Sequence, residues 1–343
     1  MTLAGRTQAL LTRHWWRSRP SWLPQLLQPL SALYGWLAAR QRRRTVPQRA
    51  PVPLLVVGNV VAGGAGKTPT VMALVTALQA AGRMPGVISR GYGRVGDRSG
   101  DGVLEVTATS APHAVGDEPL LIHRRTGAPV WVGRDRPAAA AALCAHHPEV
   151  DLLIADDGLQ HHALARDAEL IVFDQRGIGN GLLLPAGPLR EPMPTTLAPH
   201  RRVLYTGGHP STALPGAVAT RQLLMAWPLK AWREGDASQA VPVADLRGRR
   251  LLAAAGLAAP EKFFAMLEAA SLSIRRLPLP DHFDYAALPW PEATREVVCT
   301  EKDAVKLDPA RLGSTRVWVL PLDLRLPDSL VADLLTLLKR RPS

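Results

Sequence analysis

Short unbroken apolar runs alternate along most of this chain with stretches of helical periodicity. Leu54 to Val57, Gly86 to Ser89, Pro129 to Val132, Leu152 to Ala155 and Leu170 to Phe173 are runs of the kind that strands buried on both faces require. Between them, helices are expected from about Thr68 to Ala81, from the step Gly116-Asp117-Glu118-Pro119 onward, and over Pro137 to Ala145, with residues 95–118 mostly loop. The alternation resumes later, with strands at Val203 to Tyr205, Leu251 to Ala255, Glu296 to Thr300 and Val317 to Leu320, a helix at Pro260 to Ala270 and a terminal amphipathic helix at Asp328 to Lys339. Strands that alternate with helices predict an α/β fold, with parallel-rich sheets covered by helices. Proline, glycine and leucine dominate from Gly179 to Pro215, so a domain boundary is expected near residue 190, dividing 51–190 from 191–343. No internal repeat, heptad pattern or low-complexity tract interrupts this order.

The first fifty residues follow a different rule. Leu23, Leu26, Leu27, Leu30, Leu33, Tyr34 and Leu37 recur at helical spacing, the pattern of an amphipathic helix. Pro24 fits its first turn, whereas Pro29 is expected to strain or kink it. This segment holds nine arginines, no acidic residue, and Trp15, Trp16, Trp22 and Trp36. Gln25, Gln28 and the two prolines leave no apolar span long enough to cross a bilayer, and four arginines at Arg40, Arg42, Arg43 and Arg44 do not suit a cleaved leader. Two readings remain: a helix lying in a membrane interface with guanidinium groups toward anionic lipid, or one packed on the protein's own body. The whole chain of 343 residues carries a formal charge of +12, which favours anionic partners without choosing among them. Its two cysteines, Cys144 and Cys299, support neither a disulfide framework nor a metal site.

Candidate chemistry concentrates after the first strand. Val61, Ala62, Gly63, Gly64, Ala65, Gly66, Lys67 and Thr68 join a buried strand to a helix, which is how a polyphosphate cradle is built. Lys67 would reach the β- and γ-phosphates and the Thr68 hydroxyl would hold Mg²⁺. Val61 stands where the usual motif has its first glycine. Asp156 and Asp157, at the end of a neighbouring buried strand, suit the Mg²⁺ half of such a site. Asp117 and Glu118 are either the first-turn charges of a helix or a proton acceptor and a Mg²⁺ ligand. Arg90, Arg94, Arg134 and Arg136 lie at or just after strand ends, where phosphate ligands collect in open α/β sheets. Asp281-His282 can form an acid–imidazole pair. His161 and His162 follow the Asp156-Asp157 step, and no set of residues has zinc-ligand spacing.

These segments together resemble one family. Gly58-Asn59, Gly63-Gly64-x-Gly66-Lys67-Thr68-Pro69, Ser89-Arg90-Gly91-Tyr92, Gly116-Asp117-Glu118-Pro119, Asp156-Asp157-Gly158-Leu159-Gln160-His161, Leu184 to Pro192, Asp281-His282-Phe283 and Thr300 to Lys306 are similar, in order, to the motifs of tetraacyldisaccharide 4'-kinase, the lipid A 4'-kinase. The resemblance runs from about residue 15 to 325 and includes the basic aromatic N-terminus. It implies a P-loop NTPase-like fold of two α/β/α domains with the site in the cleft between them, behind an N-terminal membrane-associating segment over residues 1–50. It implies transfer of the γ-phosphoryl group of ATP to the 4'-hydroxyl of a tetraacylated glucosamine disaccharide 1-phosphate, at the cytoplasmic face of an inner membrane and with no protein partner. By the same resemblance Asp117 is the base, assisted by His282, which Asp281 holds. Lys67, Thr68, Glu118, Asp156 and Asp157 form the ATP–Mg²⁺ shell. Arg90, Arg136, His161, Arg190 and Glu191 face the acceptor, and Thr300 to Asp303 lie on the nucleotide side. The rival readings are a regulatory P-loop ATPase or GTPase, which has no need of Asp117 or His282 near an acceptor, and a nucleic-acid-binding protein, for which no motif is present.

Overall fold

The computed structural model describes residues 11–17, 21–92, 94 and 102–339; Gly93 and most of the first half of the expected loop at 95–118 lie outside them. Eight strands form the first sheet: β1 (Leu54–Gly58), β2 (Pro85–Ser89), β3 (Leu104–Val106), β4 (Val130–Val132), β5 (Leu152–Asp156), β6 (Ala168–Phe173), β7 (Arg201–Tyr205) and β8 (Ala217–Val218). Their spatial order is β3-β4-β2-β5-β1-β6-β7-β8, parallel except for β3 against β4. The central strands are buried along their whole length, and alternate residues serve opposite faces. Leu55 and Val57 enter one apolar core, while Leu54 and Val56 enter the other. Helices α2 (Lys67–Ala80) and α3 (Asp117–Thr126) cover the first face, and α4 (Arg136–His146) covers the second.

A ribbon of β9 (Thr220–Gln222) and β16 (Asp323–Arg325) leads to and from a second sheet. That sheet runs β11-β10-β15-β14-β12-β13, from β10 (Met225–Pro228), β11 (Val241–Pro242), β12 (Leu251–Ala255), β13 (Ile274–Pro278), β14 (Glu296–Thr300) and β15 (Arg316–Leu320). Its central strands are parallel, and α5 (Pro260–Ala269) packs on one face through Phe263, Phe264 and Leu267. The chain then returns, and α6 (Asp328–Lys339) seats Leu330, Leu334 and Leu338 in the core shared with the first sheet.

Strand membership divides the chain differently from a cut at 190/191. β7 and β8 belong to the first sheet although they follow residue 190, and α6 rejoins it. We therefore place the division at the β9–β16 ribbon. The proline- and glycine-rich stretch after Gly179 runs as a loop up to β7, and its Leu184 and Arg190 line the cleft described below.

Helix α1 (Trp22–Arg44) runs unbroken through Pro29. Ser31 and Tyr34 attach it to the body: Ser31 Oγ donates to the Leu183 carbonyl (2.9 Å) and accepts from the Ala186 amide (3.0 Å), and Tyr34 donates to the Arg190 carbonyl (2.9 Å). Its apolar stripe faces the other way, with Trp22 66%, Leu26 68% and Leu30 53% exposed. Among the described residues no helix is long and apolar enough to cross a membrane.

Candidate active site

The carboxyl ends of β1, β2 and β5 open into a cleft of about 1310 Å³ between the two sheets, with the phosphate loop on one wall and His282 and Lys302 on the other. Gly63 and Gly66 adopt left-handed backbone conformations (φ 96° and 85°), which a side chain would strain. A Cβ on Gly66 would also lie 3.1 Å from Arg221 and Thr206. The valine at position 61 has a physical reason. Val61 pairs with Leu189 as a β-bridge, flanked by the Ala62 amide on the Pro188 carbonyl and the Arg190 amide on the Val60 carbonyl, both 2.7 Å. This stretch is extended and buried, a setting that favours a β-branched residue over glycine.

Lys67 begins α2 and projects over the loop, where it donates to Asn59 Oδ1 (3.1 Å) and pairs with Asp157 (3.4 Å). Arg190 approaches Asp157 from the other side at 3.1 and 3.2 Å. Burial works to raise the Asp157 carboxyl, but Lys67 and Arg190 outweigh it and hold it below the ordinary carboxylate range. Asp156 is the opposite case. Burial, with Glu118 and Asp157 nearby, pushes it up to about 7 despite Lys67 and Arg136. Ser89 donates to its Oδ2 (3.3 Å), and its buried Oδ1 has no hydrogen-bond partner among the described residues. Such an atom is costly unless something absent from the bare protein meets it.

Asp117 and Glu118 start α3 after Gly116, whose φ of 94° turns the chain. Both are first-turn charges, and both also face the second domain. His282 Nδ1 lies 3.2 Å from Asp117 Oδ2, and Lys306 lies 3.4 Å from the same oxygen. Burial tends to raise the Asp117 carboxyl, but His282, Lys306 and Lys302 together lower it. Lys302 reaches Glu118 (3.2 Å), Asp281 (3.4 Å) and His282 Nε2 (3.4 Å). The carboxylate within hydrogen-bond distance of the imidazole is Asp117, not Asp281. Asp281 accepts from the His282 backbone amide (3.1 Å) and stands 4.0 Å from Nε2.

A sequence model described as Tetraacyldisaccharide-1-P 4'-kinase matches residues 23–339. The chain belongs to this family. It is 53% identical over 327 residues to the tetraacyldisaccharide 4'-kinase of Methylibium petroleiphilum, covering 92% of this chain and 89% of that one. It is 49% identical over 351 residues to that of Leptothrix cholodnii, covering 99% of both. Its fold is similar, with a TM-score of 0.74 and 25% identity, to LpxK from Aquifex aeolicus solved in complex with ATP, over 92% of this chain and 99% of that one.

Within this family member, Lys67, Thr68, Glu118, Asp156, Asp157, Arg90, His161, Arg190, Asp281 and His282 all line the one cleft. Arg136 reaches it only from below: it is 3% exposed and donates to the Ile88 (3.1 Å) and Asp156 (3.0 Å) carbonyls, as a brace for two strand ends. Arg190 bridges Asp157 and Gln160 (3.3 Å), while Glu191 accepts from Gln160 (3.1 Å). Burial, followed by the charge of Arg136, lowers the His161 imidazole. Of the Thr300–Asp303 stretch, only Lys302 meets the Asp117–His282 pair. Thr300 caps a short helix, Glu301 is buried against Arg125 (3.0 Å) and Trp232 (3.1 Å), and Asp303 accepts from the Gly256 amide (3.0 Å). Sequence reasoning about individual residues missed Asn59, Gln160, Lys302 and Lys306. All four sit inside the segments that carried the resemblance, and only tertiary packing shows what they touch.

Proposed function

We propose that this chain transfers the γ-phosphoryl group of ATP to the 4'-hydroxyl of a tetraacylated glucosamine disaccharide 1-phosphate, at the cytoplasmic face of an inner membrane. What carries the reading is His282, which lines the cleft together with Lys67 and the phosphate loop and lies 3.2 Å from Asp117 behind it. A sugar hydroxyl is a poor nucleophile, so a kinase must position it, accept its proton and neutralise charge on the transferred group. Asp117 is ionised and its Oδ2 is held by the imidazole, so its other oxygen can orient the hydroxyl and take its proton as the new O–P bond forms and the bond from the γ-phosphorus to the bridging oxygen breaks, releasing ADP. His282 and Lys306, at 3.2 and 3.4 Å from Oδ2, keep Asp117 in the ionised form that can accept the proton. Lys67 meets the β- and γ-phosphates when it leaves Asp157.

Mg²⁺ fits this chemistry. Among the described residues no group of three or more His, Cys, Asp and Glu is arranged to hold a metal alone, and Mg²⁺ in nucleotide sites takes one or two carboxylates with phosphates and water. The unpartnered Asp156 Oδ1, with Asp157, Glu118 and Thr68 close by in the cleft, supplies such a partial shell. When bound, Mg²⁺ would neutralise charge on the phosphates.

The exposed stripe of α1, ending at Arg42, Arg43 and Arg44, suits a helix lying in an anionic interface. The same helix touches the Arg190 loop through Tyr34, so a membrane along that stripe would lie beside the acceptor side of the cleft. A regulatory ATPase would leave the Asp117–His282 pair without a use. The test is incubation with radiolabelled ATP and the purified disaccharide lipid. Asp117→Ala is expected to abolish transfer while retaining nucleotide binding; a fully active variant removes Asp117 from the reaction.

A further inference from the structure

Consecutive carbonyls of the phosphate loop are tied outward by side chains. The Gly63 carbonyl accepts from Asn59 Nδ2 (3.1 Å), that of Gly64 from Arg176 Nη2 (2.6 Å), that of Ala65 from Thr206 Oγ1 (3.1 Å) and that of Gly66 from Thr70 Oγ1 (2.8 Å). Because the peptide unit is planar and trans, an outward carbonyl turns the following N–H the other way. The amides of Gly64, Ala65, Gly66 and Lys67 are thereby presented as an anion nest. Without these anchors a loop holding three glycines would sample many shapes.

Arg176 differs from the other anchors in being charged and in connecting distant parts of the chain. Its Nε lies 3.2 and 2.9 Å from the two oxygens of Asp174, a fully buried carboxylate just past the end of β6. Asp174 also receives Lys262 of α5, in the second domain, at 2.6 Å. The face of the Arg176 guanidinium lies 4.3 Å from the centre of the Trp16 ring. Trp16 is itself held in place by its neighbour: Trp15 donates to the Pro185 carbonyl (2.9 Å) and its own carbonyl accepts from the Asn180 amide (2.8 Å).

We propose that Arg176 is a positioning residue for the phosphate loop, and that Trp16 couples ATP binding to the seating of the N-terminal segment. Asp174 fixes one edge of the guanidinium and Trp16 fixes its plane, so that Nη2 meets the Gly64 carbonyl. A planar fork can serve Asp174 and Gly64 at once, whereas a lysine ammonium on a flexible stem cannot hold both in that geometry. The inference rests on ATP binding at residues 61–68.

The test is calorimetric titration of Mg·ATP into the full-length chain in detergent, alongside steady-state kinetics. Arg176→Lys is expected to raise the ATP Kd by roughly tenfold, the loss expected for one charge-assisted hydrogen bond. Its kcat at saturating ATP and its KM for the acceptor are expected to stay within about twofold of wild type, since only ground-state and transition-state binding of ATP are lost together. Trp16→Ala is expected to raise the same Kd by about threefold, and Trp16→Phe to restore it, as the cation–π contact requires. Unchanged ATP affinity in both Arg176→Lys and Trp16→Ala, or a fall in kcat with Kd intact, overturns the proposal. Should Arg176→Lys fail to fold, the Trp16 pair decides. Failure of the wild-type chain to bind ATP is a separate outcome that removes the nucleotide reading itself.

Discussion

Asp156 is where this protein gives up stability for its site, and Asp156→Asn measures how much. The carboxyl is 2% exposed and burial moves it from an ordinary 3.8 to about 7. Between these values the folded chain keeps a proton that the unfolded chain has released. Stability therefore falls as pH rises from about 4 to about 7 and is flat above, by roughly 4 kcal/mol in total. The amide removes that cost but must still bury its own polar atoms, at about 2 kcal/mol. At pH 8 without Mg²⁺, Asp156→Asn is thus expected to be about 2 kcal/mol more stable than wild type, which is roughly 3 °C in melting temperature. At pH 5 the wild-type carboxyl is protonated and about 3 kcal/mol of its penalty is gone, so the two proteins are expected to melt within about 1 °C of each other. Adding Mg·ATP is expected to raise the wild-type melting point and leave the variant unmoved. Differential scanning fluorimetry at the two pH values reads all of this. A variant that melts below wild type at pH 8, or that responds equally to Mg·ATP, refutes the assignment of Asp156 as a strained metal ligand.

Three further outcomes are expected. Transfer at limiting Mg²⁺ should fall about tenfold per pH unit below 7, because the ionised Asp156 is the form that binds metal, and the acid limb should move to lower pH as Mg²⁺ is raised; a limb indifferent to Mg²⁺ would point elsewhere. Replacing Leu26, Leu30 and Leu33 together with serine removes three exposed leucines worth about 1.5 kcal/mol or more each in an apolar phase, so co-flotation with anionic vesicles should drop at least a hundredfold while the melting temperature holds. Arg125→Met strands the buried Glu301, whose partners are Arg125 and Trp232, and should cost about 3 kcal/mol in urea unfolding; a loss below about 1 kcal/mol would show that Glu301 is neutral in the folded chain.

Elements whose cause lies within a few residues are legible in the amino-acid sequence alone. The buried runs of β1, β5 and β6 are apolar on both faces, and a parallel sheet is the arrangement that hides both. The glycines and Lys67-Thr68 at a strand–helix junction carry their chemistry locally, as do the paired acids at the end of β5. The domain boundary is less legible, because proline and glycine mark a loop equally well whether it joins domains or walls a site. Helix α1 shows the same limit: its periodicity announces an apolar stripe, but which side meets the body depends on Ser31 and Tyr34 finding partners at residues 183–190.

Sequence by itself determined the α/β class, the phosphate loop, the acidic strand end and the family, since each rests on residue types at fixed short spacing. Only the tertiary structure decided that Asp117, not Asp281, holds the His282 ring, that Arg136 braces strand ends, and that Arg176 ties Trp16 to Gly64. Those pairings close over separations of 165, 48 and 112 residues. Side-chain reach is a few ångströms, so which distant groups meet is set by the packing of the whole chain.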